Sequence, residues 1–326
     1  MRAWHVTAHG EPEDVLALVE VEDPVPGQGE VRVRVHAVAA NFPDVLLARG
    51  QYQVRPDLPF TPGVEFAGTV VAVGDGVTRW QPGARVVGGR IGVLSEEVVM
   101  PADALYATPP ALDDIAASGL MVAYQTAYFA LHRRAALQPG EWLLVHAAAG
   151  GVGAATVQLG VAAGARVIAV VGTEAKAAVA RAQGAEHVLL RGVDDIPARV
   201  RELTGGHGAD VVFDPVGGAA FDASTRCVAF EGRIVVIGFA SGDIPTLKAN
   251  VALVKNFAVL GLYWGLYAER RPDLVAEAHE ALTDLAARGA IRPVVDEVVP
   301  FERAPEAIAK LAGGGTVGRV VIEVGA

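Results

Sequence analysis

The chain has 326 residues, and its 52% hydrophobic and 20% charged content is typical of a globular α/β protein rather than of a disordered or fibrous one. A formal net charge of -10 without a basic block argues against a general nucleic-acid binder, because such proteins gain affinity by neutralising phosphates. The length favours two domains over one continuous domain.

Cysteine content and hydropathy bear on where the protein works. Cys227 is the single cysteine, which excludes an internal disulfide, and residues 1–10 lack the charged-then-apolar layout of a signal peptide. We therefore expect a cytoplasmic protein. The apolar region 143–171 is as long as a membrane span, but two adjacent glycines, a glutamine and an arginine divide it into strand, turn, helix and strand. No membrane-spanning segment is expected there.

The first part of the chain is predicted to be rich in strands. In "EVRVRVHAVAA" valines alternate with arginines and a histidine, which is the pattern of a half-exposed strand. Glycine and proline turns separate the further short runs "EFAGTVVAVG", "ARVVGG" and "SEEVVMPA". Residues 1–117 are therefore predicted to form a mainly antiparallel β domain.

From Asp113 onward, helix-length amphipathic segments alternate with the short apolar runs "LLVHA", "ARVIAVV", "HVLL", "DVVFD", "RIVVIG" and "AVLGLYW". This alternation predicts right-handed crossovers and a doubly wound parallel sheet over residues 118–264. Residues 265–326 contain a long helical segment, a strand, a helix and the last strand "GRVVIEV". That tail is too short to be a domain, so we expect it to complete the first one.

The stretch "HAAAGGVGAATVQLG" lies between two of these apolar runs and predicts a phosphate-binding turn. Gly150 would allow a tight turn, Gly151 and Val152 would offer backbone N–H groups, and Gly153 would let the helix pack on the strand. Ala148 takes the place of the first glycine of the usual fingerprint. Strand, turn, helix and second strand together favour a dinucleotide, while a tight turn without a ligand is the alternative.

The residues after the second strand of this unit bear on the choice of cofactor. An acidic residue there would bind a ribose 2′-OH and select NAD, whereas Gly172 leaves room for a 2′-phosphate. Thr173, Lys176 and Arg191 are candidate donors to that phosphate. Glu174 is either an acid in the first turn of a helix or a ribose ligand. These residues predict NADPH.

Together with "AANFPDVLLARGQY", "LPFTPGVEFAGTVVAVG", "RIVVIGFASG" and "GLYWG", these motifs resemble the medium-chain dehydrogenase/reductase superfamily, and within it the zinc-free quinone oxidoreductase branch. The resemblance covers essentially the whole chain. It implies a GroES-like catalytic domain made of both chain ends, an inserted Rossmann domain that binds NADPH, and a homodimer. The dimer would form through edge strands of the cofactor domains, with "AVLGLYW" as that edge.

The same resemblance bears on zinc. Zinc-dependent members carry a cysteine where this chain has Asn41, and a histidine and a glutamate where it has Val64 and Glu65. A catalytic zinc needs three protein ligands and a structural zinc needs four, usually cysteines. Since Cys227 lies beyond the glycine turn, we predict that the protein has no metal site.

The resemblance also implies candidate site residues. Asn41 and Tyr52 match positions that face the nicotinamide; Asn41 would bind cofactor or substrate or serve as a turn residue, and Tyr52 would be a hydrogen-bond donor or a wall of the site. Phe60, Tyr263 and Trp264 would line a flat apolar pocket or belong to the core. The implied cofactor-binding set is Asn41, Thr126, Ala149, Gly150, Gly151, Val152, Gly153, Gly172, Thr173, Lys176, Arg191, Val216, Gly238, Phe239, Ala240, Leu262, Tyr263, Trp264 and Arg319.

The implied function is the reduction of a quinone or an α,β-unsaturated carbonyl compound by NADPH without zinc. One alternative is a zinc-free enoyl-thioester reductase, which the acidic composition disfavours because no basic cluster is evident for a coenzyme A phosphate. The other is an NADPH-binding structural or RNA-associated protein with little turnover, a use known in the resembled family.

Overall fold

The computed structural model describes residues 1–325, which divide into two compact units. The first unit contains Met1–Val122 and the segment that begins at Arg292, and the second is Ala123–Ile291. The sequence predicts these boundaries at 117/118 and 264/265. The largest difference concerns the long helix of the tail, which the structure places in the second unit.

The elements of the first unit up to residue 122 are mainly strands, with a few short helices between them. They are β1 (Arg2–Val6), α1 (Pro12–Val15), β2 (Leu16–Glu20), β3 (Glu30–Ala39), α2 (Phe42–Ala48), β4 (Glu65–Val73), β5 (Arg85–Gly89), β6 (Glu97–Pro101), a 3-10 turn (Ala102–Ala104), β7 (Leu105–Ala107) and α3 (Asp114–Ala117). A π-helical segment, Leu120–Tyr124, follows at the boundary.

The second unit alternates strands and helices. Its elements are α4 (Gln125–Tyr128), a π-helical segment (Phe129–Arg134), β8 (Trp142–His146), α5 (Gly151–Ala162), β9 (Arg166–Val171), α6 (Glu174–Ala182), β10 (His187–Leu190), α7 (Ile196–Leu203), β11 (Ala209–Asp214), α8 (Gly218–Cys227), β12 (Val228–Val236), α9 (Ala249–Lys255), β13 (Ala258–Gly261), α10 (Trp264–Arg270) and α11 (Pro272–Ala287).

The chain then returns to the first unit with β14 (Val295–Pro300), a 3-10 turn (Phe301–Arg303), α12 (Ala304–Ala312) and β15 (Arg319–Glu323). The described residues of this unit form a sheet in the order β14-β15-β3-β4-β5-β7, with β6 also paired to β3. β15 runs antiparallel to β3, with Val321 opposite Ala39, so both chain ends share one sheet. The valines of β3 are buried in its core, as their alternation predicts.

The second unit is built on a six-stranded sheet in the order β10-β9-β8-β11-β12-β13, and all of its pairings are parallel. In order of appearance the strands read 3-2-1-4-5-6, which is the doubly wound Rossmann arrangement. The strand order reverses between β8 and β11. Ligands of such sheets bind at the carboxyl ends of the strands at this switch point.

Two parts of the second unit differ from their predicted form. The run "AVLGLYW" is a strand only over Ala258–Gly261, because its partner β12 ends at Val236, which lies opposite Gly261. Helix α11 belongs to this unit, since Gln125 Nε2 donates to Val275 O at 3.1 Å. Among the described residues, no helix has the length and apolar character needed to cross a membrane.

Candidate active site

The turn after β8 brings the start of α5 to the carboxyl edge of the parallel sheet. Gly150 is the N-cap of α5, with φ -83° and ψ 176°, and its N–H donates to Ala147 O at 2.9 Å. A Cβ on Gly153 would overlap Ala147 O, so glycine is required for this approach. The left-handed residue is Ala147, with φ 50°, whereas Gly150 was expected to allow the tight turn.

The first turn of α5 presents backbone donors at this edge. Ala154 N donates to Gly150 O at 2.8 Å, so the N–H groups of Gly151, Val152 and Gly153 precede that intrahelical bond. They form the positive end of a twelve-residue helix. This arrangement fits the phosphates of a dinucleotide, and Ala149 lies buried beside it.

Two of the predicted 2′-phosphate contacts come together at the ends of β9 and β10. A Cβ built on Gly172 would lie 3.4 Å from Arg191 Nη2, so the guanidinium of Arg191 lies beside Gly172. The Arg191 N–H donates to Val171 O at 2.7 Å and ties its backbone to the end of β9. The guanidinium offers positive charge to a phosphate, and the missing side chain of Gly172 leaves space for it.

The neighbouring residues organise the start of α6. Thr173 is its N-cap, and Thr173 Oγ1 accepts the Lys176 N–H at 3.3 Å. Glu174 lies in the first helical turn and forms an exposed ion pair with Arg181 at 3.7 Å. This geometry favours a helix-stabilising role for Glu174 over a role as ribose ligand.

The loop after β11 packs on the loop after β12. Ala240 N donates to Pro215 O at 3.0 Å, and Ser241 Oγ donates to Val216 O at 2.7 Å. The predicted residues that this pairing brings to one edge are Val216, Gly238, Phe239 and Ala240.

Asp214, the last residue of β11, is a polar residue of this edge that the sequence analysis missed. Its Oδ1 accepts the N–H groups of Val216 at 2.9 Å and Gly217 at 3.0 Å. Its Oδ2 is buried and has no hydrogen-bond partner among the described residues. An unpaired buried acceptor is costly, so this oxygen fits a ligand that carries hydroxyl donors.

His146 is a second missed residue and ends β8, the strand beside β11. Its Nε2 lies 2.8 Å from Ser224 Oγ, which in turn donates to Ala220 O, so Nε2 carries the proton of this pair. Burial lowers the pKa of His146, and the charge of Asp214 acts in the opposite direction. For both Asp214 and His146, the sequence signal is a polar residue at the end of an otherwise apolar strand.

The remaining predicted residues of the second unit lie at or near the last strand. Leu262 is buried and donates its N–H to Val236 O at 3.1 Å, while Tyr263 is 43% exposed. Trp264 opens α10, and its Nε1 is buried without a partner among the described residues. Thr126 is buried on α4, which packs against α5.

In the first unit, Asn41 directly follows β3 and has all its amide hydrogens engaged. Asn41 Nδ2 donates to Ala39 O and to Glu65 Oε1, each at 2.9 Å. Asn41 Oδ1 accepts from Arg319 Nη1 at 2.9 Å. The structure therefore joins Asn41 to Arg319, 278 residues later in the chain.

Glu65 is the centre of this buried network. Its Oε1 also accepts from Arg319 Nη2, and its Oε2 accepts the Val122 N–H at 2.7 Å. Burial raises the pKa of Glu65, and the Arg319 guanidinium is the strongest influence in the opposite direction. Arg319 is 5% exposed, and its Nε is buried without a partner among the described residues.

Asp44 supports the same loop from helix α2. Its Oδ2 accepts the Asn41 N–H at 2.8 Å and its Oδ1 accepts the Gly63 N–H at 3.1 Å. Burial raises the pKa of Asp44 to about 7. The carboxyl thus ties the start of α2 to the loop before β4.

Two aromatic candidates lie in the loop after α2. Tyr52 is half-buried, which is compatible both with a hydrogen-bond donor and with a wall of the site. Phe60 pairs with Val6 through backbone hydrogen bonds of 2.8 and 3.3 Å and packs against Val15 and Ala48. The position of Phe60 favours a core role.

The zinc positions of the family do not fit a metal here. Val64 has no donor atom, the amide hydrogens of Asn41 are engaged, and Glu65 is bound to the guanidinium of Arg319. A Zn²⁺ site needs three or four converging ligands, and a cation already stands beside the one carboxylate. Within residues 1–325, no group of three or more His, Cys, Asp or Glu side chains is arranged to hold a metal ion.

Comparison with known proteins agrees with this architecture. A family model described as "Alcohol dehydrogenase GroES-like domain" matches residues 27–110, and one described as "Zinc-binding dehydrogenase" matches residues 151–284. Quinone oxidoreductase-like protein 2 homolog of Nematostella vectensis is 39% identical over 91% of this chain and 82% of its own length. A 2-haloacrylate reductase of a Burkholderia species is 34% identical over 93% of both chains.

The crystal structure of Escherichia coli quinone oxidoreductase complexed with NADPH has a TM-score of 0.92 and 32% identity, and the match covers 99% of this chain and all of the other. The chain therefore belongs to the medium-chain dehydrogenase/reductase superfamily, with a GroES-like domain and a Rossmann parallel sheet. Within that superfamily it is a member of the quinone oxidoreductase family. The predicted fold class and family are confirmed.

Proposed function

We propose that the protein is an NADPH-dependent, zinc-independent reductase of quinones or α,β-unsaturated carbonyl compounds. The observation that carries this proposal is the buried network in which Arg319 binds both Glu65 and Asn41. Because the guanidinium occupies these groups, this position of the first unit would not hold a zinc ion that could stabilise the alkoxide of a simple ketone. A conjugated acceptor spreads the arriving charge over its own oxygen and needs less help.

The cofactor site proposed for NADPH lies at the carboxyl edge of the Rossmann sheet. The N-terminus of α5 would hold the diphosphate, and Arg191 with Lys176 would hold the 2′-phosphate beside Gly172. The unpaired Asp214 Oδ2 would accept a hydroxyl hydrogen. When bound, NADPH supplies a hydride.

In this proposal Tyr52 would face the substrate, and Asn41, whose amide is engaged by Ala39, Glu65 and Arg319, would act through that network. The Tyr52 hydroxyl would donate a hydrogen bond to the oxygen that gains negative charge, which stabilises the enolate or quinol form. Asn41 would fix the reacting geometry. The 2-haloacrylate in the name of the Burkholderia relative is an α,β-unsaturated carboxylate. This name supports a conjugated acceptor for this chain.

We further propose that the protein works in the cytoplasm as a homodimer that pairs through β13. β13 is one of the two outer strands of the six-stranded sheet, and Val259 on it is 39% exposed. An uncovered edge strand favours pairing with a second copy. Size-exclusion chromatography with light scattering tests the dimer.

A substrate panel tests the activity. NADPH oxidation is followed by stopped flow with a quinone, an enone, a saturated aldehyde and an enoyl thioester. The quinone or the enone should give the highest kcat/KM. If the aldehyde is the best substrate, zinc-free reduction of conjugated acceptors is the wrong chemistry, and if the thioester is best, the protein is an enoyl reductase. NADPH binding without turnover, together with a salt-dependent RNA gel shift, would favour the structural or RNA-associated alternative.

A further inference from the structure

A buried polar layer lies at the carboxyl end of the Rossmann sheet, on the face that α8 covers. His146 and Asp214 are the last residues of the neighbouring strands β8 and β11, whose register pairs Val145 with Phe213. The residues that follow this pair on two parallel strands lie on the same face of the sheet. Ser224 on α8 reaches this face, because its Oγ lies 2.8 Å from His146 Nε2. The layer lies entirely within the second unit.

The hydrogen bonds of this layer define the protonation state of His146. Ser224 Oγ donates its hydrogen to Ala220 O at 2.8 Å, so it accepts the hydrogen on His146 Nε2. The neutral imidazole therefore has its hydrogen on Nε2, and a second proton would bind at Nδ1. His146 is 3% exposed, and burial lowers its pKa. The imidazole is thus neutral at neutral pH.

Besides burial, two charged groups act on this imidazole, and they act in opposite directions. The carboxylate of Asp214 raises the pKa of His146, and the guanidinium of Arg191, after β10, lowers it. Asp214 accepts two backbone N–H groups through Oδ1, whereas its Oδ2 has no partner among the described residues. Cys227, one turn beyond Ser224 on α8, keeps its proton because burial raises its pKa to about 11. The proton affinity of His146 thus depends on the balance between Asp214 and Arg191.

An anionic ligand at this edge of the sheet would change that balance. A phosphate that pairs with Arg191 would compensate the positive charge that disfavours a proton on His146. A diphosphate at the start of α5 would add negative charge near His146, which directly precedes the turn that leads to this helix. Both effects raise the pKa of His146. Because its imidazole is already buried, the ligand adds little further desolvation.

We propose that His146 is a buried proton-binding site coupled to the dinucleotide site, and that it takes up a proton when an anionic cofactor binds to the second unit. The inference rests on the proposed function, since it takes the cofactor from there. The proton comes from the solvent and binds at Nδ1, so the imidazolium keeps its hydrogen bond to Ser224 and gains the attraction of Asp214. Cofactor affinity therefore increases as the pH falls towards the pKa of His146 in the free protein.

The test is isothermal titration calorimetry of NADPH and NADH binding, without any substrate, in two buffers that differ in ionisation enthalpy. The difference between the buffers gives the number of protons taken up. At some pH between about 5 and 7.5, the wild type should take up at least about half a proton more per chain than His146→Gln. Relative to this variant, its Kd should fall about threefold or more for each unit of falling pH there.

His146→Gln isolates the titration from the hydrogen bond. The Gln amide can still donate to Ser224 Oγ but does not bind a proton in this range. The 2′-phosphate of NADPH titrates with both proteins, so the difference between them belongs to His146. Equal proton uptake by wild type and His146→Gln at every pH would overturn the coupling.

His187→Gln is the matched control. His187 is also a histidine of the Rossmann sheet, but it begins β10 at the opposite, amino edge and lies 3.6 Å from Glu186. The proton uptake of this variant should equal that of the wild type. A loss of uptake in His187→Gln as large as in His146→Gln would contradict the assignment to His146.

An NMR titration of the imidazole without cofactor tests the site independently and does not require His146→Gln to fold. The midpoint of His146 should be lower in Asp214→Asn, which retains the Oδ1 acceptor, and higher in Arg191→Ala, each by about half a pH unit or more. Midpoints that do not move, or an imidazole that stays neutral down to acid unfolding in all three proteins, would overturn the proton site. A wild type that binds neither NADPH nor NADH would instead overturn the proposed function, since these midpoints need no ligand.

Discussion

The guanidinium of Arg191 lies beside Gly172, although the two residues follow different strands of the Rossmann sheet. Gly172, which has no side chain, provides space, and the guanidinium of Arg191 provides charge. Lys176, on the first turn of α6, is the third member of this edge. A phosphate on the 2′ position of a ribose would meet a cation there, whereas a free 2′-OH would leave that space unfilled.

We expect Arg191→Ala and Lys176→Ala each to weaken NADPH binding by about ten- to a hundredfold, since a hydrogen bond to a charged group contributes roughly 1.5–3 kcal/mol. NADH affinity should change little. Fluorescence titration of both cofactors measures this. Arg181→Ala is the control, because Arg181 is a basic residue of the same helix that pairs with Glu174. Equal NADPH and NADH affinities that both substitutions leave unchanged would remove the assigned preference.

The two glycines of the phosphate turn should respond differently to alanine. A methyl group on Gly153 would overlap Ala147 O, and overpacking of this kind costs about 1–3 kcal/mol. At Gly150 the nearest atom to a Cβ is Ala147 O at 3.4 Å, so stability should be retained. That methyl would still stand where a phosphate approaches, and NADPH affinity should fall.

Thermal unfolding and NADPH titration of Gly150→Ala and Gly153→Ala separate the two effects. The expected result is a lower melting temperature for Gly153→Ala only, and weaker cofactor binding for both. A Gly150→Ala variant with full affinity would mean that the phosphates do not approach this turn.

Local sequence patterns predicted much of the fold. The alternating valines of β3 and the apolar runs of the parallel strands set their own secondary structure, since period and length decide these features. The glycine turn was found for the same reason. The left-handed residue of that turn, Ala147, was missed because alanine does not signal a positive φ.

Contacts distant in sequence were harder to predict. Asn41 and Arg319 are joined across 278 residues, and Arg319 belongs to a strand whose pairing with β3 follows from topology rather than from periodicity. In the sequence alone, Glu65 matches only a zinc position of the resembled superfamily, because its partner Arg319 is not visible in the local pattern. The domain boundary at residue 291 also depends on a tertiary contact, the docking of α11 through Val275.

Tyr52→Phe tests the proposed hydrogen-bond donor. The loss of one such donor costs about a hundred- to a thousandfold in enclosed oxyanion sites, and a half-buried tyrosine should show less, so we expect kcat to fall roughly tenfold with nearly unchanged NADPH affinity. Steady-state kinetics with a quinone and an enone measure this. Tyr106→Phe, a buried tyrosine on β7, is the control. A silent Tyr52→Phe would leave the residue as a wall of the site.

Activity should not depend on a metal. The groups at positions 41, 64 and 65 offer no converging set of zinc ligands, and the carboxylate among them is bound to Arg319. Elemental analysis of the purified protein should show far less than one zinc per chain, and incubation with a chelator should leave kcat unchanged. Stoichiometric zinc that is lost together with turnover would reverse this conclusion.

Stability should depend on pH through Asp44. Burial raises the pKa of this carboxyl from 3.8 to about 7, while the backbone N–H groups of Asn41 and Gly63 act to lower it. Between these values the folded state holds a proton that the unfolded state has released. The free energy of unfolding therefore falls as the pH rises through this window and is level above it. At about 1.4 kcal/mol for each pKa unit, the rise of about three units corresponds to a decrease of at most about 4 kcal/mol.

Urea unfolding of wild type and Asp44→Asn at several pH values between 4.5 and 8 measures this slope. The variant loses an acceptor for one backbone N–H and should be less stable at every pH, so the slopes are compared rather than the absolute values. The Asp44→Asn slope should be flatter than that of the wild type, whereas Asp57→Asn, in an exposed loop, should retain the wild-type slope. Parallel curves for wild type and Asp44→Asn would show that this carboxyl is already ionised at low pH, held by its two backbone donors.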